Sequence, residues 1–145
     1  MKLFKTAIFM LLLAFSVYAS ESSPTLKSVM KGLGDSVDEL NRGIFYEDFK
    51  VIETAAHKIA NHPKPKTQLP IVVKTLKERM AKFKSFDSKV HDSAAEIVEL
   101  ARKQDLNSIM EKHTVIMNNC VACHTQFRSE ISQALSSFSK NTKAK

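Results

Sequence analysis

The sequence Cys120-Val121-Ala122-Cys123-His124 lies near the C-terminal end of the 145-residue chain. Its cysteines are three positions apart and the histidine follows directly, so on an α-helix the three side chains leave one face within about one turn. Cys-x-x-Cys-His is the attachment sequence for a c-type haem, in which each thiol adds to a porphyrin vinyl group and the imidazole binds the iron. The sequence therefore predicts one covalent haem c on Cys120 and Cys123, with His124 as an axial iron ligand.

Two closely spaced cysteines have three other common uses: a disulfide, a thioredoxin-like redox pair, or half of a structural zinc site. The thioredoxin interpretation needs a βαβ setting, which the surrounding residues do not suggest. A structural zinc site needs four ligands, and this chain has no further cysteine. The histidine directly after the second cysteine favours haem attachment over these alternatives.

Apolar residues at helical spacing run through the motif and predict that it lies inside a helix. Asp105 can cap this helix, whose stripe is Leu106, Ile109, Met110, His113, Ile116, Met117, Cys120, His124, Phe127 and Ile131. Three apolar stripes precede it and predict three further helices. The first runs from Leu26 to Leu40 and fades near Asn41-Arg42-Gly43, and the second runs from Phe45 to Ile59. The third runs from Met80 to Ala101, and the pattern leaves the start of its helix undefined between Pro70 and Leu76. Four helices with short links predict an all-α fold, an antiparallel four-helix bundle with a covalently attached haem.

The first 19 residues have the pattern of a secretory signal. Lys2 and Lys5 precede an apolar core from Ala7 to Phe15, which is shorter than the roughly 20 residues that a membrane span needs. We expect cleavage after Ala19, which leaves residues 20–145 as a single monohaem cytochrome domain. The mature protein is then expected to be periplasmic and not membrane-spanning, and export argues against nucleic acid as a partner.

The chain is basic, with a formal net charge of +7 that falls to +5 when Lys2 and Lys5 are removed with the signal. This excess favours redox-partner proteins with acidic docking surfaces. The basic residues are densest at Lys74, Lys77, Arg79, Lys82, Lys84 and Lys89. A solvated helix face and a docking patch both explain this stretch.

Function depends on the residue that faces the iron opposite His124. A methionine sulfur there gives a low-spin iron that transfers electrons, whereas an apolar residue leaves the iron open to small gases. Met110 and Met117 share the predicted helix of His124 and cannot readily reach the opposite haem face. Met30 and Met80 remain, although ordinary core packing also explains a methionine in a helical stripe.

Histidines are the rival ligands. His113 shares a helix with His124 and sits about 16 Å along it, which excludes it. His62 lies in the proline-containing segment, and His57 and His91 fall off the main apolar stripes. Surface or partly buried positions explain these three residues.

The extended motif, from Cys120 to Phe127 and Arg128, in an exported chain of four predicted helices resembles the cytochrome c-prime family. The resemblance covers essentially the whole mature chain. Relatives carry an aromatic residue and an arginine just after the haem histidine, which implies that Arg128 lies near the haem and tunes its charge or contacts a propionate; a plain solvent-exposed arginine is the alternative. In this family the first helix supplies the residue over the iron. The segment from Lys27 to Gly34 resembles that of the methionine-ligated, low-spin electron carriers, which implies Met30 as the second axial ligand.

The resemblance implies an electron-transfer protein, not an enzyme, with His/Met ligation of one haem c. The alternative within the same family is a five-coordinate protein that binds nitric oxide or carbon monoxide. A peroxidase would need an acid and a base above an open iron, and no distal His-Arg pair can be placed on the first helix. Relatives dimerise through their first two helices, and the exposed charges of those helices here neither require nor forbid a homodimer.

Overall fold

The structure, a computed structural model, describes residues 23–143, with side chains described through residue 140. The predicted signal, residues 1–19, lies outside the described residues. Five α-helices make up this part of the chain: α1 (Leu26–Phe45), α2 (Phe49–Ala60), α3 (Leu69–Leu76), α4 (Met80–Arg102) and α5 (Leu106–Lys143). The fold is all-α, and the four longer helices form the predicted four-helix bundle. None of the helices within residues 23–143 is both long and apolar enough to cross a membrane.

The bundle is built from neighbours in chain order. α1 packs on α2, α2 packs on α4, and α4 packs on α5. Residues 46–48 and 103–105 make two short links, which force the helices they join to run antiparallel. Each link contains one residue in the left-handed region, Glu47 with φ 54° and Gln104 with φ 56°, a conformation typical of chain reversal after a helix end.

The core consists of two clusters of buried side chains. The first joins α1, α2, α4 and α5 through Leu40, Ile52, Ala55, Ala56, Ile59, Val90, Ala94, Ile97, Val98, Ala101, Ile109 and Ile116. The second joins α3, α4 and α5 through Val72, Leu76, Phe86, Phe127 and Ile131. Cys120 packs against the first cluster and Cys123 against the second. The cysteine pair therefore lies where the two clusters meet.

The start of the second helix differs from the sequence prediction. Phe45 is the last residue of α1 and is 79% exposed, so it does not begin the apolar stripe of α2. The helix begins at Phe49 because the side chain of Asp48 accepts hydrogen bonds from the backbone N–H groups of Lys50 and Val51, both at 3.1 Å. α1 also continues through Gly43 instead of fading there.

The start of the third predicted helix is a separate short helix, α3. Its buried residues Val72 and Leu76 belong to the second core cluster. A 3-10 turn at Lys77–Arg79 separates α3 from α4, and Lys77 has a φ of 50° that breaks the helical path. The basic stretch from Lys74 to Lys89 covers this junction and the first half of α4, and all six of its basic residues are exposed.

Gly43 allows α1 and α2 to approach closely. A Cβ atom added there would lie 2.9 Å from Ile52 Cγ1, 3.0 Å from the backbone nitrogen of Ile52 and 3.1 Å from Val51 Cγ1. We expect Gly43→Ala to destabilise the protein by about 1–3 kcal/mol, because the backbone atom cannot move aside. Gly32→Ala is the matched control on the same helix, since a Cβ there meets no atom within 4 Å. It should be neutral or stabilise by up to about 1 kcal/mol. Denaturant midpoints test this, and equal midpoints for the two variants would contradict the close contact.

Candidate haem site

The motif residues Cys120, Cys123 and His124 lie together in the middle of α5, as predicted. Both cysteines are half-buried and His124 is exposed. All three side chains line one cavity of about 940 Å³. Such a volume lies in the range of about 300–1,000 Å³ that is usual for cofactor and ligand sites.

The cavity lies between the first half of α1, the first half of α4 and the part of α5 from Asn119 to Lys140. Its apolar wall consists of Leu26, Leu33, Phe83, Phe86, Val90, Phe127, Ile131 and Leu135. Phe127 anchors the wall, with its ring 5.8 Å from that of Phe83 in an edge-on arrangement and 6.3 Å from that of Phe86. Helix α5 therefore presents the motif to an apolar space that is large enough for a flat, mostly apolar group.

Met30 reaches this cavity from α1, the helix across the cavity from the motif. Its side chain lines the cavity and it is 38% exposed. Met80, the other candidate ligand from the sequence, is absent from the cavity wall and packs against the second core cluster. The structure thus brings Met30 to the cavity of His124 and leaves Met80 partly buried against the second core cluster.

A family described as Cytochrome C' matches residues 24–128, a range that contains both Met30 and the complete motif. The chain belongs to the cytochrome c-prime family. Searches of curated protein sequences and of solved structures gave no significant match. Cytochromes c-prime bind a covalently attached c-type haem with iron, act generally as electron carriers or ligand binders, and are typically periplasmic.

The donor set of this cytochrome c-prime fits such a haem. Cys120 and Cys123 are free thiols. Burial raises the pKa of the Cys120 thiol. The pKa of Cys123 is raised to about 11, chiefly by burial and further by the negative charges of Asp87 and Cys120. Both thiols face the same cavity, where each would give one thioether to the haem.

Basic side chains lie around the same cavity. Lys27 and Lys31 contribute from α1, and Arg128 and Lys140 from α5. Lys31 also pairs with Asp35 at 2.6 Å on the surface of α1. Arg128 is exposed and lines the cavity.

The histidines of this cytochrome separate into two groups. His62, in the segment between α2 and α3, lines the cavity, whereas His57, His91 and His113 do not. His113 is half-buried, its Nε2 has no hydrogen-bond partner, and burial lowers its pKa. Apart from His124, His62 is therefore the histidine placed to compete with Met30 as an iron ligand. Its position in a proline-containing segment of the sequence did not indicate that it lies at the cavity.

Asp87 and Phe86 are two further cavity residues that the sequence did not single out. Phe86 follows Phe83 by three positions on α4, so helical periodicity could have included it in the apolar stripe. Asp87 is exposed and polar, and nothing in its local sequence distinguishes it from a solvated residue. Its place beside the cavity depends on how α4 packs against α5.

Proposed function

We propose that this cytochrome c-prime is a periplasmic electron carrier whose low-spin haem iron is held between His124 and Met30. The observation that carries the proposal is that Met30 and the Cys-x-x-Cys-His motif line the same cavity from two different helices. When bound, haem c supplies a reversible ferric–ferrous couple. A methionine and a histidine on opposite sides of the iron are the ligand set typical of electron-transferring c-type cytochromes.

The remaining roles follow from the same arrangement. Cys120 and Cys123 would fix the porphyrin to α5 by two thioethers, so that His124 is held at one side of it. Packing of α1 against α2 would hold Met30 at the other side. The three phenylalanines of the cavity wall would exclude water, and lower local polarity favours the ferrous state.

The charged surroundings suit a carrier that docks to acidic partners. Arg128, Lys27 and Lys140 would face the haem propionates at the cavity mouth. The six exposed basic residues from Lys74 to Lys89 offer a positive surface at the start of α4 and on its first half, and other α4 side chains form one cavity wall. Positive charge near the site of electron transfer steers an acidic partner toward it.

We propose export by cleavage after Ala19, with residues 20–145 as the mature domain.

The visible absorption spectrum of the purified holoprotein tests the proposed function. We expect a low-spin ferric spectrum with a sulfur-to-iron charge-transfer band, and a ferrous spectrum that carbon monoxide leaves unchanged. Both expectations follow because the Met30 sulfur would hold the iron in both oxidation states and would leave no open position for carbon monoxide. A high-spin spectrum that carbon monoxide shifts would reject the carrier and make the protein the gas-binding alternative.

A further inference from the structure

Two histidines and an aspartate form a cluster at the edge of the cavity. His62 comes from the segment between α2 and α3, and Asp87 and His91 lie one turn apart on α4. One potential ligand atom from each residue lies within 4.8 Å of the others. His91 Nε2 is 3.9 Å from Asp87 Oδ2. The ring centroids of His62 and His91 are 4.6 Å apart, with an angle of 35° between the ring planes.

Hydrogen bonds to the backbone orient both rings. His91 Nδ1 lies 2.6 Å from the carbonyl oxygen of Ala60, and His62 Nδ1 lies 3.0 Å from that of Pro63. A carbonyl oxygen only accepts, so each Nδ1 must donate its hydrogen. In a neutral imidazole this leaves Nε2 with a free lone pair, and a backbone carbonyl on the other ring nitrogen is the usual support of a metal-binding histidine.

From this geometry we propose that His62, Asp87 and His91 bind a divalent transition-metal ion, for which Zn²⁺ is the probe. Two imidazole nitrogens and one carboxylate oxygen are a ligand set that Zn²⁺ accepts, with a fourth position left to water. Bond lengths of about 2.0–2.2 Å place tetrahedral ligand atoms roughly 3.3 Å apart, so the three side chains need only small rotations to close on the ion. His62 lies outside the helices, where such adjustment is easiest.

The site is distinct from the iron site of the proposed function. His62 and Asp87 line the cavity, but His91 does not, so the ion would sit at the cavity edge on the side of α4. Binding there requires neither Met30 nor His124. The two proposals can therefore fail separately.

Isothermal titration of Zn²⁺ into the untagged, chelator-treated ferric holoprotein tests the site, with the haem spectrum recorded alongside. We expect one ion per chain. His62→Ala, Asp87→Asn and His91→Ala should each weaken Zn²⁺ binding by at least about tenfold. Removing a group that only supports a ligand usually costs about 10–100-fold in metal affinity, and removing the ligand itself should cost at least as much. His57→Ala is the control, since His57 is exposed and outside the cluster, and it should bind as the parent does.

Two results would overturn the proposal: no stoichiometric Zn²⁺ binding by the parent protein, or binding that all three cluster variants retain within about threefold. The haem spectrum of each variant separates loss of the site from misfolding. A variant that keeps the parent spectrum while losing Zn²⁺ supports the site. If one variant loses its haem spectrum, the decision rests on the remaining two.

Discussion

Replacing Met30 by alanine is expected to convert a ferrous protein that does not bind carbon monoxide into one that binds it. The alanine side chain cannot reach the iron, and its small volume leaves the space above the ring accessible. The ferric spectrum should lose its sulfur-to-iron band and become high-spin. Carbon monoxide titration of the dithionite-reduced variant measures the change, which should go from no detectable binding to one molecule per haem.

Two controls make the Met30 experiment specific. Met80→Ala removes a methionine that packs against the second core cluster and is absent from the cavity wall. Because Met80 is only partly buried, this change should cost no more than the loss of a fully buried methionine side chain, about 2–5 kcal/mol, and it should leave ligation unchanged. Among the described residues, His62 is the cavity histidine other than His124, and His62→Ala should leave the low-spin spectrum intact. A Met30→Ala protein with the parent spectrum would rule out Met30, and loss of the low-spin spectrum in His62→Ala would point to His62 instead.

The double variant Cys120→Ala/Cys123→Ala is expected to lose covalent haem completely. Both half-buried thiols line the cavity, and no other cysteine exists in the chain to replace them. Intact mass spectrometry under denaturing conditions should find one haem per chain in the parent and none in the double variant. Each single variant should keep at most one thioether. Val121→Ala is the control, because Val121 lies between the cysteines, is 59% exposed and is absent from the cavity wall.

The double variant should also be less stable than the parent. A haem on α5 would bury the apolar wall around Phe83, Phe86 and Phe127, and burial of apolar area contributes about 25 cal/mol per Å². The thermal midpoint followed by far-ultraviolet circular dichroism should fall, and the helical signal should weaken. An unchanged midpoint together with an unchanged helical signal would mean that the bundle does not rely on the haem.

The sequence was sufficient for features that depend on local spacing. The three-residue interval in Cys120-Val121-Ala122-Cys123-His124 places the thiols and the imidazole on one helix face whatever surrounds them. Asp105 was predicted to begin the last helix, and its carboxylate accepts hydrogen bonds from Ser108, 3.1 Å from the backbone N–H and 2.7 Å from the hydroxyl. The boundary near Phe45 was predicted wrongly, because an apolar residue at helical spacing can equally well end one helix as start the next.

The tertiary structure decided which distant residues share a space. By sequence pattern alone Met30 and Met80 are equivalent, since both continue an apolar stripe. The packing of α1 on α2 places Met30 at the cavity, and the turn before α4 leaves Met80 packed against the second core cluster. Likewise, the approach of His62 to Asp87 and His91 depends on the path of the segment between α2 and α3. Periodicity describes one helix at a time, so the sequence by itself determined the haem motif and the helices, whereas only the packing of those helices decided what faces the motif.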